Sequence, residues 1–148
     1  MTKIVRTNSE HPDFIELVKK LDFYLALKDG EEHHFYAQFN KISALHHCVI
    51  LYEEDQAVGC GAIKPYDATS MEVKRMYVDE NFRKKGYASQ ILEELEHWTK
   101  ELGYTSTILE TGIRQTEAVK FYEKIYEKIP NFGQYIGVEN SVCFKKSL

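Results

Sequence analysis

Between Met71 and Glu110 the hydrophobic period of the chain changes twice, and that change narrows the folds open to it. Met71-Glu72-Val73-Lys74-Arg75-Met76-Tyr77-Val78 reads as a strand. From Gly86 to Leu102 the apolar residues Ala88, Ile91, Leu92, Leu95, Trp98 and Leu102 recur at helical spacing, and Gly103 stands where a left-handed C′ residue closes a helix. A further strand covers 106–110. Two strands joined by one helix are expected to run parallel and lie adjacent or nearly so, because such a crossover packs back onto the sheet.

The rest of the chain adds antiparallel partners. A short strand is expected over 3–6, followed by Ser9, His11 and Pro12 as the start of a helix carrying Phe14, Leu17, Val18, Leu21, Tyr24 and Leu25 and ending near Lys28-Asp29-Gly30. A second helical piece is expected over 32–40, with Phe35, Tyr36 and Phe39 on one side. Runs 48–52 and 57–63 flank Glu53-Glu54-Asp55-Gln56 as a hairpin. After the crossover, Gln115 or Thr116 opens a helix through Ala118, Val119, Tyr122, Ile125 and Ile129, which Pro130 must stop. The last run, 141–145, alternates around Val142 and Phe144. The fold class is therefore α/β (α+β), with a mixed, mostly antiparallel central sheet of six or seven strands flanked by helices. The 148 residues, 43% of them hydrophobic and without linker or repeat, are expected to form one domain over 1–148.

Composition removes several function classes. Lys+Arg 19 against Asp+Glu 23 leaves a net charge of −4, so no chain-wide positive field attracts nucleic acid or anionic lipid. No apolar run approaches the roughly 18 residues of a membrane span, and residues 1–9 lack a signal-peptide core, so a cytoplasmic location is expected. Cys48, Cys60 and Cys143 are odd in number and set in strand-like apolar sequence, as buried free thiols are. The pairs His33-His34 and His46-His47 lack the i, i+4 spacing of a helical metal site, and no metal is expected.

The chemistry is concentrated in Val78-Asp79-Glu80-Asn81-Phe82-Arg83-Lys84-Lys85-Gly86-Tyr87-Ala88-Ser89, where a strand leads through a polar loop and three cations to a helix that begins at glycine. A helix N-terminus leaves four N–H groups without intrahelical partners, and its dipole favours an anion by roughly 0.3–1 kcal/mol. The pattern is neither G-x-G-x-x-G nor a P-loop, so a nucleotide site of either kind is not supported. A Lys-Lys-Gly turn also needs no ligand, so anion site and plain turn both remain open on these residues alone.

R-x-x-G-x-A at Arg83, Gly86 and Ala88, after the strand 72–78, resembles motif A of the GNAT N-acetyltransferase superfamily, in its small bacterial form. Leu109-Glu110-Thr111-Gly112, Gln115, Ala118 and Phe121-Tyr122-Glu123-Lys124 are similar to the superfamily's later segment, and the order of elements agrees across the chain. One departure is visible: the superfamily usually follows F-Y-E-K with x-Gly-Phe, whereas Ile125-Tyr126-Glu127 follows here, which suggests a helix continued for another turn.

The resemblance implies a splayed parallel strand pair and acetyl-CoA as co-substrate. Its diphosphate would lie on the main chain of Arg83, Lys84, Lys85, Gly86, Tyr87, Ala88 and Ser89, and its pantetheine arm along the backbone of Met76, Tyr77 and Val78. It further implies acetyl transfer to a primary amine of a small molecule or peptide through a ternary complex. An amine of pKa near 10.4 costs about 4–5 kcal/mol to deprotonate at neutral pH. Glu72 is the expected base or base relay, with Glu110 the second choice; pairing of Glu72 with Lys74 or Arg75 is the structural alternative. Tyr122 matches the superfamily's general acid, and a phenol with a pKa near 10 holds its proton at pH 7; packing into the core is its alternative. Tyr24, Glu31, Glu32, Tyr36, Tyr66 and Tyr135 are acceptor-side candidates by position. A homodimer through the C-terminal strand is an assembly that the resemblance allows. The competing function on the same fold is a non-catalytic module that binds or senses acyl-CoA.

Overall fold

The computed structural model describes residues 1–29 and 45–148. The elements are β1 (Thr2–Thr7), α1 (Pro12–Asp29), β2 (His47–Glu53), β3 (Gln56–Pro65), β4 (Ser70–Val78), α2 (Tyr87–Glu101), β5 (Ser106–Gly112), α3 (Thr116–Glu123), β6 (Glu127–Ile129) and β7 (Ser141–Ser147), with short 3-10 turns at Glu80–Phe82 and Gly133–Tyr135. The expected helical piece over 32–40, and with it Glu31, Glu32 and Tyr36, lies outside the described residues.

The strands form one seven-stranded sheet in the order β1-β2-β3-β4-β5-β7-β6. Every neighbouring pair is antiparallel except β4 and β5. The crossover thus gives the expected parallel pair, but the pairing is brief: Ser70 to Ser106, Met71 to Thr107 and Glu72 to Ile108. Beyond Glu72, β4 stays with β3 as far as Val78, while β5 pairs with β7 along its whole length. The two strands part, and a gap opens on the β5 side of residues 73–78.

A bulge in β4 decides what faces that gap. Cys60 pairs with Tyr77 and Ala62 with Lys74, so Arg75 and Met76 together oppose Gly61. Arg75 takes the extra step in the left-handed region at φ 59°. The inserted residue reverses the alternation of side chains. Met71 and Val73 before it, and Val78 after it, face the core beneath α2, with Met76 packed against that core; Glu72 and Lys74 line a cavity that α1 also walls, and Tyr77 packs on the cluster beneath α1. Gly61 leaves room at the bulge for side chains from β4 and α2: a Cβ there would lie 2.8 Å from Met76 Sδ and 2.9 Å from both Ile91 and Leu95, which would have to shift.

Helices cover both faces. On one, Ile91, Leu92 and Leu95 of α2 pack on Val49, Leu51, Ile63 and Val73. On the other, Phe14, Leu17 and Val18 of α1 pack on Cys48, Ile50, Cys60 and Ala62. All three cysteines are free and buried. Among the described residues no helix is long and apolar enough to cross a membrane.

The expectation of a helix running to Ile129 is corrected. α3 stops at Glu123, the N–H groups of Ile125 and Tyr126 both converge on the Tyr122 carbonyl, and 127–129 become β6. Two tertiary contacts outweigh the helical periodicity. Tyr126 buries its ring, donates to Glu96 Oε2 at 2.9 Å and shares a 2.6 Å bond with Thr107 Oγ1. β7 offers an open edge, on which Glu127, Lys128 and Ile129 pair with Lys145, Phe144 and Cys143.

Candidate active site

A cleft of about 750 Å³ lies between the end of β4, the loop that follows it, α1 and α3. Met76, Tyr77, Val78, Arg83, Lys84, Gly86, Tyr87, Ala88 and Ser89 line it, facing Gln115, Ala118, Phe121 and Tyr122 from α3. Of the residues that the sequence assigned to the cofactor, Lys85 alone is absent from the wall. Its ammonium reaches away to Glu53 at 3.0 Å, and the Tyr87 hydroxyl donates to the same carboxylate.

The loop is built to present backbone donors. Asp79 anchors its start: its N–H donates to the Val58 carbonyl, its Oδ1 accepts from the Asn81 N–H at 3.1 Å, and its Oδ2 accepts from Lys20 at 3.0 Å. Lys84 at φ 65° and Gly86 at φ 79° then turn the chain tightly into α2. Among the described residues, the N–H groups of residues 83–89 make no hydrogen bond to a protein acceptor; the first donor within α2 is Gln90, to Gly86 at 3.1 Å. A Cβ added at Gly86 would meet nothing within 4 Å, so the chain is uncrowded on that side of the turn. The unpaired N–H groups at the start of α2, with the exposed Lys84 beside them, are the kind of donor set that an anion such as a diphosphate takes.

Arg83 does not extend into that space as a free cation. Its Nε donates to the Val78 carbonyl at 2.8 Å, and its guanidinium lies 4.9 Å from the Tyr24 ring and 5.7 Å from the Tyr77 ring. The side chain ties α1 to the end of β4.

A smaller cavity of about 100 Å³ opens beside the cleft, and Leu21, Met76, Gln115, Ala118 and Tyr122 belong to the walls of both. Its other walls bring together Leu25, Glu72, Lys74, Arg75, Glu110, Thr111 and Tyr135. Glu72 is 2% exposed, with Oε2 3.6 Å from Lys74 Nζ. Lys74 also donates to the Tyr135 hydroxyl at 3.4 Å. Burial lowers the Lys74 pKa from its ordinary value, against the opposing pull of Glu72. Glu110 Oε2 accepts from the Ser141 hydroxyl at 2.6 Å. The Arg75 guanidinium donates to Asp22 of α1 at 2.9 Å.

Tyr122 stands where the two spaces meet. Its ring packs on Phe121, Tyr126 and Phe144 at 5.1, 6.0 and 5.9 Å between centroids. Its hydroxyl has no hydrogen-bond partner among the described residues, and burial alone pushes its pKa well above that of an ordinary phenol. The group holds its proton throughout the neutral range.

The structure therefore brings Glu72, Glu110, Tyr122 and Tyr135 to one cavity. Tyr24 lines the cleft instead, and Tyr66 belongs to neither space, packing edge-to-face against Phe132 at 5.1 Å between ring centroids. Sequence reading passed over Leu21, Leu25 and Thr111 as site residues. Leu21 and Leu25, at i, i+4 on α1, looked like any apolar helix face; only the gap between β4 and β5 makes that face a wall.

Residues 12–126 match the acetyltransferase (GNAT) family. The uncharacterized N-acetyltransferase YsnE of Bacillus subtilis is 33% identical over 100 residues, which span 66% of this chain and 66% of that protein. Among solved structures, a Klebsiella pneumoniae protein assigned to the acyl-CoA N-acyltransferases superposes with a TM-score of 0.83 at 26% identity, covering 100% of this chain and 98% of its own. A GNAT family acetyltransferase from Elizabethkingia anophelis, solved with acetyl-CoA bound, has the same fold, with a TM-score of 0.70 at 17% identity over 99% of this chain and 98% of that one. The splayed sheet and the amide-lined loop at its mouth are those of an acyltransferase fold. The chain belongs to the GNAT acetyltransferase family.

Proposed function

We propose that the protein transfers an acetyl group from acetyl-CoA to a primary amine of a small molecule or peptide, by direct attack within a ternary complex. The observation that carries this reading is the position of Tyr122, a protonated phenol on the wall shared by an amide-lined cleft and a carboxylate-lined cavity.

Acetyl-CoA supplies the activated acyl carbon. The free N–H groups of residues 83–89 bind its diphosphate, with Lys84 adding charge, and the backbone of Met76, Tyr77 and Val78 aligns the pantetheine arm. The acceptor amine lies in the cavity, where Glu72 takes its proton directly or through water; Glu110 stands on the opposite strand as the second carboxylate. The backbone N–H near Val78 stabilises the developing oxyanion, and Tyr122 gives its proton to the departing thiolate. Support for the acceptor's place comes from Leu21, Leu25 and Tyr135, which close the cavity from α1 and from the turn before β7.

The test is a panel of small amines and short peptides with acetyl-CoA, read as free thiol, alongside thermal unfolding with and without coenzyme A. Binding to the native state alone raises the unfolding temperature. Thiol release with a subset of amines supports the proposal. Stabilisation by coenzyme A with no release for any amine replaces it with the non-catalytic acyl-CoA module, and absence of both overturns the cofactor site.

A further inference from the structure

An amine already lies beside the proposed base. Lys74 is 8% exposed on the cavity side of β4, with Nζ 3.6 Å from Glu72 Oε2 and 3.4 Å from the Tyr135 hydroxyl. It lies two residues before Met76, a wall of the cofactor cleft, and the two spaces meet at Met76 and Tyr122. A thioester seated in the cleft thus faces a cavity in which the chain's own primary amine stands next to the group proposed to deprotonate the acceptor.

We propose that Lys74 is an acetylation site of the protein itself, modified by bound acetyl-CoA when no external amine fills the cavity. This inference rests on the acetyltransferase reading of the same site. In the step, the neutral Nζ attacks the acetyl carbonyl carbon, the C–N bond forms and the C–S bond breaks. The surplus proton on nitrogen passes to Glu72, and the thiolate takes its proton from Tyr122, which is then reprotonated from Glu72 through water. One acetyl-lysine and one free coenzyme A result. Burial shifts the amine toward the uncharged form that the attack needs, against the opposing pull of Glu72. The product loses the ammonium that pairs with Glu72 and fills part of a cavity of about 100 Å³, so modification closes the acceptor side while leaving the diphosphate loop untouched.

The experiment incubates the full chain with acetyl-CoA and no amine, then follows acetylation of each lysine over time by peptide mass spectrometry. Lys74 is expected to acquire acetyl at least about tenfold faster than exposed lysines remote from both spaces, such as Lys19 and Lys128, since a held geometry raises the effective concentration of the reacting pair. Glu72→Gln should slow the reaction at Lys74 and leave the exposed lysines unchanged, and Lys74→Arg should remove the fast site without creating another. Adding an accepted amine should protect Lys74. Coenzyme A stabilisation in thermal unfolding separates the two levels of failure. If coenzyme A stabilises the protein and Lys74 reacts no faster than the exposed lysines, self-acetylation is wrong while the acetyltransferase reading stands. If coenzyme A does not stabilise it, both fall.

Discussion

The Arg75 guanidinium, 2% exposed at its side chain, donates to Asp22 Oδ1 at 2.9 Å and so fastens the β4 bulge to α1. Arg75 is also the residue held at φ 59°, where a side chain is disfavoured. The strained step is therefore secured by an ion pair to the helix that walls both the cleft and the cavity. Asp22→Ala leaves the buried cation without this partner. Because Asp22 is half exposed and water can partly replace it, the expected loss is about 1–3 kcal/mol in urea unfolding; an unchanged midpoint would show that the pair does not hold the bulge.

Gly86 separates the needs of folding from those of binding. A methyl group there meets nothing within 4 Å, yet φ is 79°. Gly86→Ala should fold at a cost of about 1–2 kcal/mol, the ordinary penalty of a left-handed conformation. Gly86→Asp places negative charge in the same open space and should abolish binding of coenzyme A, measured by calorimetry. Equal coenzyme A affinity in wild type and the aspartate variant would remove the diphosphate from this loop.

Tyr122→Phe distinguishes packing from catalysis. The hydroxyl has no partner among the described residues, so its removal leaves no donor or acceptor stranded there, and stability should change by less than about 0.5 kcal/mol. A proposed general acid contributes far more to rate: kcat should fall about 10²-fold with coenzyme A affinity retained. A variant that turns over normally would leave Tyr122 as core alone.

The acid side of the stability profile should depend on Glu53. The Tyr87 hydroxyl, and then Lys85 at 3.0 Å, hold its carboxyl below the usual range. A carboxylate whose pKa is depressed on folding contributes stability that is complete above its unfolded value, near 4.5, and is lost as pH falls through the folded value. Glu53→Gln should therefore show a shallower decline than wild type in chemical unfolding followed below about pH 4.5. Identical acid slopes would mean that the contact with Tyr87 and Lys85 carries no linked proton.

Much of this was legible because it is local. The period-2 runs, the stripe of α2 and the glycine at its start specify the crossover, and with it a parallel pair and an N-terminal loop of free amides. Glu72 and Tyr122 could be singled out by resemblance, Glu72 from its place on the strand that leads to the loop and Tyr122 as the second residue of the Phe121-Tyr122 pair. The end of α3 was not legible. Ile125 and Ile129 continue a helical spacing, but the open edge of β7 and the polar pocket at Thr107 and Glu96 lie far away in sequence.

The amino-acid order alone determined most of the strand and helix types, the parallel pair and a polar, cation-bearing loop leading into a helix at Gly86, because hydrophobic period and helix-end chemistry act over a few residues. Only the folded chain decided where β4 and β5 part, how the bulge at Arg75 turns Glu72 and Lys74 toward α1, and that Tyr122 would stand between two spaces. Those outcomes depend on register and packing between distant segments, where a single inserted residue reverses which face each side chain takes.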